Sequence, residues 1–474
     1  MATAIKGVFL ENFRSFSKPT RIELRPITLL YGQNSAGKSS VIKALLLLQQ
    51  SLAASRRRGE DTRTFVFSGE FVDLGSFEAS VSGHNTGKTM AIGVDISESD
   101  SNDSRVGAFE VTWSAREDSN VREMTLSVTL RGERLEFERH PQRSSWLLKR
   151  ESVPAFLKAV IVDKNLFLAS EDMVENLRSN VGYLPEFFGE RFPTEMNKSL
   201  VPPNTRNRWL TSGLSGSYSD RQNDDTQPTF GKSYLADAWD EACRSEWNRC
   251  RRQIESMTHI GPLRQEPLRF NGYSPTEGLE VGATGDQMLS LLHEQPNLVV
   301  KVNDHLEQME LPYKIKVGSL GSAETVGKVI FLALVNRKTS LQLSPSDVGV
   351  GYSQVLPLIT QSTLARNKLV CVEQPELHLH PAMQARLGDL FISEAMGGSR
   401  TRFLIETHSE SLMLRILRRI REGHLQPEDV QVIYIDQEKN GASSIHAIPI
   451  DKSGDFTTEW PGGFFDERLE EFGF

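Results

Sequence analysis

The sequence predicts an α/β fold with a mixed sheet core, an antiparallel β lobe and a helical insertion, and three patterns support this prediction. An apolar strand, ITLLY at 27–31, runs into a glycine-bearing turn and then a helix from about Ser39 to Ala54. Residues 64–150 alternate apolar and polar side chains in short runs between turn signals, which is typical of antiparallel strands. Strand and helix patterns alternate again beyond residue 257.

These patterns divide the chain into three predicted parts. Residues 1–152 form the N-terminal part of the core with the antiparallel lobe, and residues 257–474 form its C-terminal part. Between them, residues 153–256 are predicted to be a helical insertion, in which 203–232 is rich in Asn, Ser, Gly and Asp and reads as a flexible loop. No heptad repeat long enough for a coiled-coil arm occurs.

The composition is that of an ordinary globular protein. Of the 474 residues, 38% are hydrophobic and 24% are charged, and the formal net charge of −8 excludes a polycation that coats nucleic acid. Three cysteines are too few for a disulfide framework and suit a reducing compartment. The opening segment MATAIKGVFL does not have the pattern of a signal peptide, and no run of 18 apolar residues occurs. We therefore expect a cytoplasmic protein without a membrane span.

The strongest motif is GQNSAGKS at 32–39, which matches GxxxxGK[ST] between the predicted strand and helix. Glycines allow backbone N–H groups to surround phosphate oxygens, and the helix N-terminus adds positive potential. Lys38 is placed to reach the β- and γ-phosphates, and the Ser39 hydroxyl is placed to ligate Mg²⁺. The residues predicted to bind ATP here are Gly32, Asn34, Ser35, Ala36, Gly37, Lys38, Ser39 and Ser40.

Two further apolar strands end in residues suited to nucleotide chemistry. LVCVE at 369–373 ends in Glu373, as a Walker B strand ends in an acid, and this residue is predicted to hold Mg²⁺ directly or through water. FLIETHS at 403–409 ends in a turn that contains His408. A histidine there can hydrogen-bond a γ-phosphate or an attacking water, so His408 is a catalytic candidate.

At these three motifs the chain resembles ABC-type ATPases. The segment VFLENFRSF, ahead of the phosphate loop, narrows the resemblance to the RecF, SMC and OLD-like branch, and EQPELHLHP at 373–381 is similar to the form this branch uses. HIGPLRQEP at 259–267 and IDKSGDFTTEWPGGFFDE near the C-terminus look like a bacterial ATPase family that carries a C-terminal domain of unknown function. The resemblance implies an ABC-type P-loop ATPase head.

In this branch two heads enclose two ATP molecules, so the resemblance implies at least a homodimer. Each phosphate loop then faces a signature loop of the other head, and the candidate here is DVGVGYSQ at 347–354. Its predicted contacts are Gly349, Gly351 and Ser353, with Ser353 as the substitute for a serine expected at position 349. A glycine-rich turn without this role is the alternative.

The position after the Walker B acid holds Gln374, where the family has a glutamate general base. An amide cannot accept a proton at neutral pH, so Glu376 is the alternative catalytic carboxylate. Slow hydrolysis, or ATP that acts chiefly as a clamp between subunits, stays open.

Two other groups of residues carry weaker signals. His378 and His380 form an HxH pair, but a third metal ligand is not evident, and the resemblance places them in the loop at the dimer interface. Arginines cluster after His408 and near position 250, where they could contact a phosphate backbone. These positions are Arg415, Arg418, Arg419, Arg421, Arg244, Arg249, Arg251 and Arg252. A solvated face or an interface with an acidic partner is favoured, and direct contact with nucleic acid stays open.

The resemblance also suggests a biological role. Only 66 residues follow His408, fewer than the nuclease domain of OLD-like nucleases needs beside the C-terminal segment. The chain resembles the ATPase halves of two-gene bacterial antiphage systems, Septu PtuA and PARIS AriA. The leading hypothesis is an ATP-binding and ATP-hydrolysing subunit that oligomerises head to head and scaffolds or gates a separate effector nuclease. The alternative is a DNA-repair or chromosome-maintenance ATPase of RecF or SMC type.

Overall fold

The computed structural model describes twelve stretches of the chain and two single positions. They are residues 3–58, 65–98, 109–117, 122–130, 133–139, 146–148, 152, 195–196, 249–266, 268–276, 278, 280–321, 327–349 and 351–461. The predicted loop 203–232 and nearly all of the predicted insertion 153–256 lie outside the described residues.

Strands dominate the first half of the described chain, and helices become frequent in the second. The strands are β1 (Thr3–Glu11), β2 (Thr20–Glu23), β3 (Ile27–Gly32), β4 (Met90–Glu98), β5 (Phe109–Glu117), β6 (Arg122–Leu130), β7 (Glu133–Arg139), β8 (Trp146–Leu148), β9 (Glu195–Met196), β10 (Thr258–Ile260), β11 (Asn271–Gly272), β12 (Tyr313–Leu320), β13 (Val329–Asn336), β14 (Gln342–Leu343), β15 (Leu369–Glu373), β16 (Arg402–Glu406), β17 (Val430–Gln437) and β18 (Ser443–Ala447). The helices are α1 (Lys38–Arg58), α2 (Phe77–Ser80), α3 (Met288–Glu294), α4 (Pro296–Gln308), α5 (Gly351–Leu364), α6 (Pro381–Met396) and α7 (Glu410–Arg421).

The chain forms two compact units, and each consists of two separate segments. The first unit comprises Met1–Ile22 and Lys43–Glu255, and the second comprises Glu23–Ile42 and Ser256–Phe474. All three predicted nucleotide motifs belong to the second unit. The three-part division at residues 152 and 256 stays a prediction.

The first unit is built on an antiparallel sheet. Its strand order is β2-β1-β4-β5-β6-β7-β8-β9, and each neighbouring pair from β1 to β9 runs antiparallel. Alternate side chains face a buried side, where Trp113 and Phe137 are almost completely shielded from solvent. This sheet is the antiparallel β lobe that the period-2 pattern predicted.

The second unit contains a mixed sheet whose order is β10-β15-β16-β3-β17-β18. The first five strands are parallel, and β18 joins β17 antiparallel. Every residue of β3, β15 and β16 is buried, which explains why these strands read as continuous apolar runs and not as alternating ones. Helix α6 packs against both β16 and β3.

The strand order brings the motifs to one edge of the sheet. Because parallel strands end on the same side, the carboxyl ends of β3, β15 and β16 meet there, with Glu373 in register with Glu406. The strand β16 lies between the phosphate-loop strand β3 and the acid-bearing strand β15. The mixed core and the antiparallel lobe confirm the predicted α/β fold.

A smaller antiparallel sheet completes the second unit. It contains β11, β13 and β12 in this order, and β14 pairs with β13. Helix α4 packs on β12 and on α5, the helix that follows the predicted signature loop. Within the stretches that the structure describes, no helix combines the length and the apolar character needed to cross a membrane.

Candidate functional site

The turn between β3 and α1 has a backbone that only small residues and a few turn formers adopt. Gly32, Ser35 and Gly37 have φ values of 140°, 64° and 112°. A Cβ atom at Gly32 would lie 2.0 Å from the carbonyl oxygen of Ile435, so a side chain is excluded there. Helix α1 begins at Lys38, so its first N–H groups, which have no partner inside the helix, face this turn.

The buried side chain of Lys38 is hydrogen-bonded to the backbone of the turn. Its Nζ atom donates hydrogen bonds to the carbonyl oxygens of Gly32 at 2.8 Å and Gln33 at 2.7 Å, and the residue is 3% exposed. Burial lowers the pKa of the Lys38 ammonium, and the carboxylates Glu406 and Glu376 oppose that effect. The ammonium therefore lies within the field of two acids at the end of the sheet.

Ser39 contacts an acid that the sequence analysis did not select. Its Oγ atom donates a hydrogen bond of 2.8 Å to Oε1 of Glu406, the last residue of β16. Glu406 is 4% exposed. The motif FLIETHS contains this residue, but the sequence alone drew attention to the histidine two positions later.

Glu373, the predicted metal-binding acid, is held by a neighbouring strand. Its Oε1 atom lies 2.7 Å from Nε2 of His259, which belongs to β10, and both side chains are largely buried. The strands β10 and β15 are parallel neighbours, so the fold and not the local sequence makes this pair. His259 is a second residue of the site that the sequence analysis missed.

Arg264 supports the turn that follows β15. Its guanidinium donates to the carbonyl oxygens of Glu373 at 2.9 Å and Gln374 at 3.2 Å, and the residue is 5% exposed. Burial lowers the pKa of Arg264 to about 10, while Glu376 and Glu373 oppose the shift, so the group stays charged at neutral pH. Because Gln374 has a φ of 45°, this charged clamp fixes a turn with an uncommon backbone.

Glu376 joins the turn after β15 to the turn after β16. Its Oε2 atom accepts a hydrogen bond from the Thr407 hydroxyl at 2.8 Å, and its Oε1 atom accepts one from the His408 backbone N–H at 2.7 Å. Burial raises the pKa of Glu376, and the two donors and Arg264 counteract that rise. The predicted catalytic acid and the predicted catalytic histidine are therefore adjacent.

The ring of His408 carries a buried nitrogen that still needs a partner. Nε2 is shielded from solvent and has no hydrogen-bond partner among the described residues. Burial and the nearby Lys38 ammonium lower the pKa of His408, so its imidazole is neutral at pH 7. A neutral ring beside a lysine can donate a hydrogen bond to a phosphate oxygen, and it can donate to or accept from a water molecule.

The predicted signature residues are placed at the start of α5. Helix α5 begins at Gly351, Ser353 is 6% exposed, and neither Gly349 nor Gly351 has a positive φ. A Cβ atom at Gly349 would meet nothing within 4 Å, so this position has open space beside it. Their contact with a second head stays a prediction.

The HxH pair has a structural explanation. His380 is the N-cap of α6, and its Nδ1 atom accepts a hydrogen bond from the Ala382 N–H at 3.2 Å. Among the described residues, no group of three His, Cys, Asp or Glu side chains is arranged to hold a metal. A zinc-type site at this pair therefore has no geometric support.

The arginines of α7 are paired with acids. Arg415 and Arg419 share Asp389, with N–O distances of 2.9 and 2.6 Å. Arg418 pairs with Glu422, and Arg421 pairs with Asp455 in the loop after β18. These pairs favour the interpretation of an ion-paired face over that of a free basic patch.

The residues present fit a nucleotide with Mg²⁺. The N–H groups at the start of α1 and the Lys38 ammonium suit phosphate oxygens, and the Ser39 hydroxyl with nearby carboxylates supplies the oxygen ligands that Mg²⁺ prefers. Among the described residues, the buried Nε2 atom of His408 has no hydrogen-bond partner, which agrees with a group that bonds to a ligand.

Three family models match parts of the chain. Residues 4–145 match the model described as AAA ATPase domain, and residues 234–414 match the AAA domain described as putative AbiEii toxin, Type IV TA system. Residues 425–472 match DUF3696, a protein family of unknown function, in the region where the sequence predicted a C-terminal family module. Each match covers less than half of the chain.

Curated relatives and solved structures include SMC proteins. The chromosome partition protein Smc of Mycobacterium tuberculosis is 33% identical over 91 residues, and that of Rhodopirellula baltica is 32% identical over 91 residues. Each match covers 19% of this chain and only 8% of the relative's length.

Among solved structures, the SMC head domain from Thermotoga maritima is 10% identical with a TM-score of 0.40, covering 94% of this chain and 99% of that one. An SMC head bound to the C-terminal winged-helix domain of ScpA is 11% identical with a TM-score of 0.43, covering 95% and 99%. The phosphate loop, the strand order and the two AAA matches together support a P-loop ATPase of the AAA type.

Proposed function

We propose that the protein binds ATP with Mg²⁺ at the turn between β3 and α1, hydrolyses it slowly, and works as the ATPase subunit of a bacterial antiphage system. In this role two heads pair through their nucleotides and scaffold or gate a separate effector nuclease. The observation that carries the nucleotide part is the phosphate loop itself, with Lys38 and Ser39 facing a cluster of acids and His408.

The residues divide the work of binding between them. The backbone N–H groups of residues 32–40 and the Lys38 ammonium hold the β- and γ-phosphates. Bound Mg²⁺ supplies positive charge that stabilises the negative charge on the transferring phosphoryl group. Ser39 and the acids at the ends of β15 and β16 hold the ion, and Glu373 is oriented for this by His259.

For hydrolysis, Glu376 is the proposed base and His408 the proposed contact to the γ-phosphate. Burial raises the pKa of Glu376 above the usual value of a carboxyl group, which makes its carboxylate a stronger base. Both of its oxygens already accept hydrogen bonds, and Gln374 cannot replace it as a base. These two facts support slow turnover.

The nuclease partner and the antiphage role rest on resemblance. The similarity to Septu and PARIS ATPase subunits supports them, and one matched structure is an SMC head that binds a domain of another protein, ScpA. Coexpression with the product of the adjacent gene, followed by phage plating, tests this part. Protection from phage that needs both genes and is lost in Lys38→Ala supports this part of the proposal. If neither the two genes together nor either gene alone gives protection, this part is contradicted.

A DNA-repair or chromosome-maintenance ATPase is the second candidate, because the curated relatives are chromosome partition proteins. ATP turnover of the purified chain, with and without duplex DNA, separates the two. Turnover that is lost in Lys38→Ala and indifferent to DNA supports the leading proposal. Strong stimulation by DNA supports the repair candidate.

A further inference from the structure

The Ser39 hydroxyl of the phosphate loop is hydrogen-bonded to Glu406, and three observations bear on the role of this acid. The first is distance, since Oγ of Ser39 and Oε1 of Glu406 are 2.8 Å apart. Mg²⁺ binds oxygen ligands at about 2.0–2.1 Å in an octahedron, so neighbouring ligands lie about 2.9 Å apart. The two oxygens already have the spacing of adjacent ligands of one Mg²⁺ ion.

The second observation is the position of Glu406 in the sheet. It ends β16, the direct neighbour of β3, and is in register with Leu30, two residues before the loop begins at Gly32. Glu373 ends β15, one strand farther from β3. The strand order therefore brings the carboxylate of β16, and not that of β15, next to the start of α1.

The third observation is charge. Glu406 is 4% exposed, and a buried carboxylate is costly unless a cation and hydrogen bonds compensate it. Lys38 supplies one nearby cation, and its own ammonium is bonded to two loop carbonyls. Glu373 is hydrogen-bonded to His259, whose ring orients one of its oxygens.

We propose that Glu406 is a direct protein ligand of the nucleotide-bound Mg²⁺, together with Ser39, and that Glu373 acts on the ion from the outer position through water. This inference rests on the proposed ATP binding. It assigns the metal-binding acid to the strand that also carries His408, so one short segment, residues 406–408, serves both the metal and the γ-phosphate.

Binding of a fluorescent ATP analogue in EDTA and in Mg²⁺ tests this assignment without any turnover. The ratio of the two dissociation constants measures what the metal adds to affinity. In Glu406→Gln, the Mg²⁺-dependent gain should fall about 10-fold or more, while binding in EDTA stays equal or becomes tighter because a negative charge is removed. Glu373→Gln should lose a smaller part of the gain.

Asp436→Asn is the matched control. Asp436 lies near the end of β17, the strand on the other side of β3, and its Oδ1 atom accepts a hydrogen bond from the Gln437 N–H. This variant should keep the full gain from Mg²⁺. Thermal unfolding shows whether each variant is folded, and Glu406→Asp, which keeps the charge but shortens the side chain, replaces Glu406→Gln if that protein is unstable.

The outcomes separate the inference from the function on which it rests. A wild-type chain that binds no ATP analogue in either condition contradicts the proposed function. A wild-type chain that gains affinity from Mg²⁺, with the gain intact in Glu406→Gln and lost in Glu373→Gln, overturns the inference alone. Equal losses in both variants would support Glu406 as a ligand but contradict the assignment of Glu373 to the outer position.

Discussion

At the scale of single residues, the candidate site is held by pairs of side chains, such as Ser39 with Glu406, and also by side chains that bond to the backbone. Arg264 shows this most clearly, since its buried guanidinium satisfies the carbonyl oxygens of Glu373 and Gln374. Both acceptors belong to the backbone, so these two hydrogen bonds do not depend on the side chains at positions 373 and 374. Arg264, which lies 110 residues before Gln374 in the sequence, therefore helps to fix the shape of the turn after β15.

We predict that Arg264→Met lowers the free energy of unfolding by about 1–3 kcal/mol, because it leaves buried carbonyl oxygens without donors. ATP turnover should fall as well, since the turn that carries Glu376 loses its support. Urea unfolding and steady-state turnover measure the two effects. Arg269→Ala is the control, because Arg269 pairs with Asp347 at the surface and should contribute less than about 1 kcal/mol. Equal effects of both changes would contradict the assigned role of Arg264.

The raised pKa of Glu376 leads to a prediction about how the rate of ATP hydrolysis depends on pH. Burial raises its pKa above the usual 4.5, and a base must be deprotonated to act. The rate of hydrolysis should therefore increase with pH through the raised pKa, and this acid limb should lie at higher pH than for a free carboxyl group. In Glu376→Gln the limb should disappear, and turnover should fall while ATP binding persists. A variant that keeps the wild-type limb would show that another group is the base.

The residue scale also shows what a sequence can and cannot reveal. The phosphate loop was predicted in full because its glycines, Lys38 and Ser39 are neighbours in the chain. Glu406 was not selected, because an acid at the end of a buried strand has no local mark that distinguishes it from Glu373. Only the order of the strands, with β16 between β15 and β3, decides which acid meets Ser39. Arg264 and His259 were missed for the same reason.

At the scale of elements, helix α7 is positioned by the residue that precedes it. Ser409 is the N-cap, and its hydroxyl oxygen accepts a hydrogen bond from the Leu412 N–H at 3.0 Å and donates one to Gln384 at 2.7 Å. The same residue follows His408 directly. The cap therefore fixes both the start of the helix and the end of the turn that carries His408, the proposed catalytic histidine.

We expect Ser409→Ala to lower the free energy of unfolding by about 1–2 kcal/mol, since the residue is 3% exposed and loses both hydrogen bonds. Ser411→Ala in the same helical turn is the control and should change the stability by no more than about 0.5 kcal/mol. Urea denaturation gives both values. Similar losses in the two variants would mean that the cap does not determine the stability of this region.

At the scale of the whole molecule, the chain forms two compact units, one built on an antiparallel sheet and one that contains a mixed sheet. The mixed sheet and the antiparallel lobe agree with the sequence prediction because their patterns, buried parallel strands and alternating antiparallel strands, differ in period. The predicted insertion lies mostly outside the described residues, and its role stays open. Pairing of two heads is a prediction from resemblance, and Gly349 offers a way to test it.

Gly349→Arg should block pairing without unfolding the chain, because the glycine has no positive φ and a Cβ there would meet no atom within 4 Å. The variant should bind ATP as the wild type does and stay monomeric. Light scattering of the wild type should show a doubled mass with ATP and Mg²⁺, and Lys38→Ala should not show it. A Gly349→Arg protein that still doubles its mass would place the interface elsewhere.

The bonds of Lys38 to its own loop have a consequence for nucleotide exchange. An arriving phosphate has to compete with the carbonyl oxygens of Gly32 and Gln33, and when a phosphate departs these oxygens can take back the ammonium. The buried ammonium therefore has hydrogen-bond acceptors whether or not a phosphate is bound. We expect this internal competitor to lower the affinity of the proposed ATP site for every nucleotide whose phosphates Lys38 contacts, because the same two hydrogen bonds have to be broken each time.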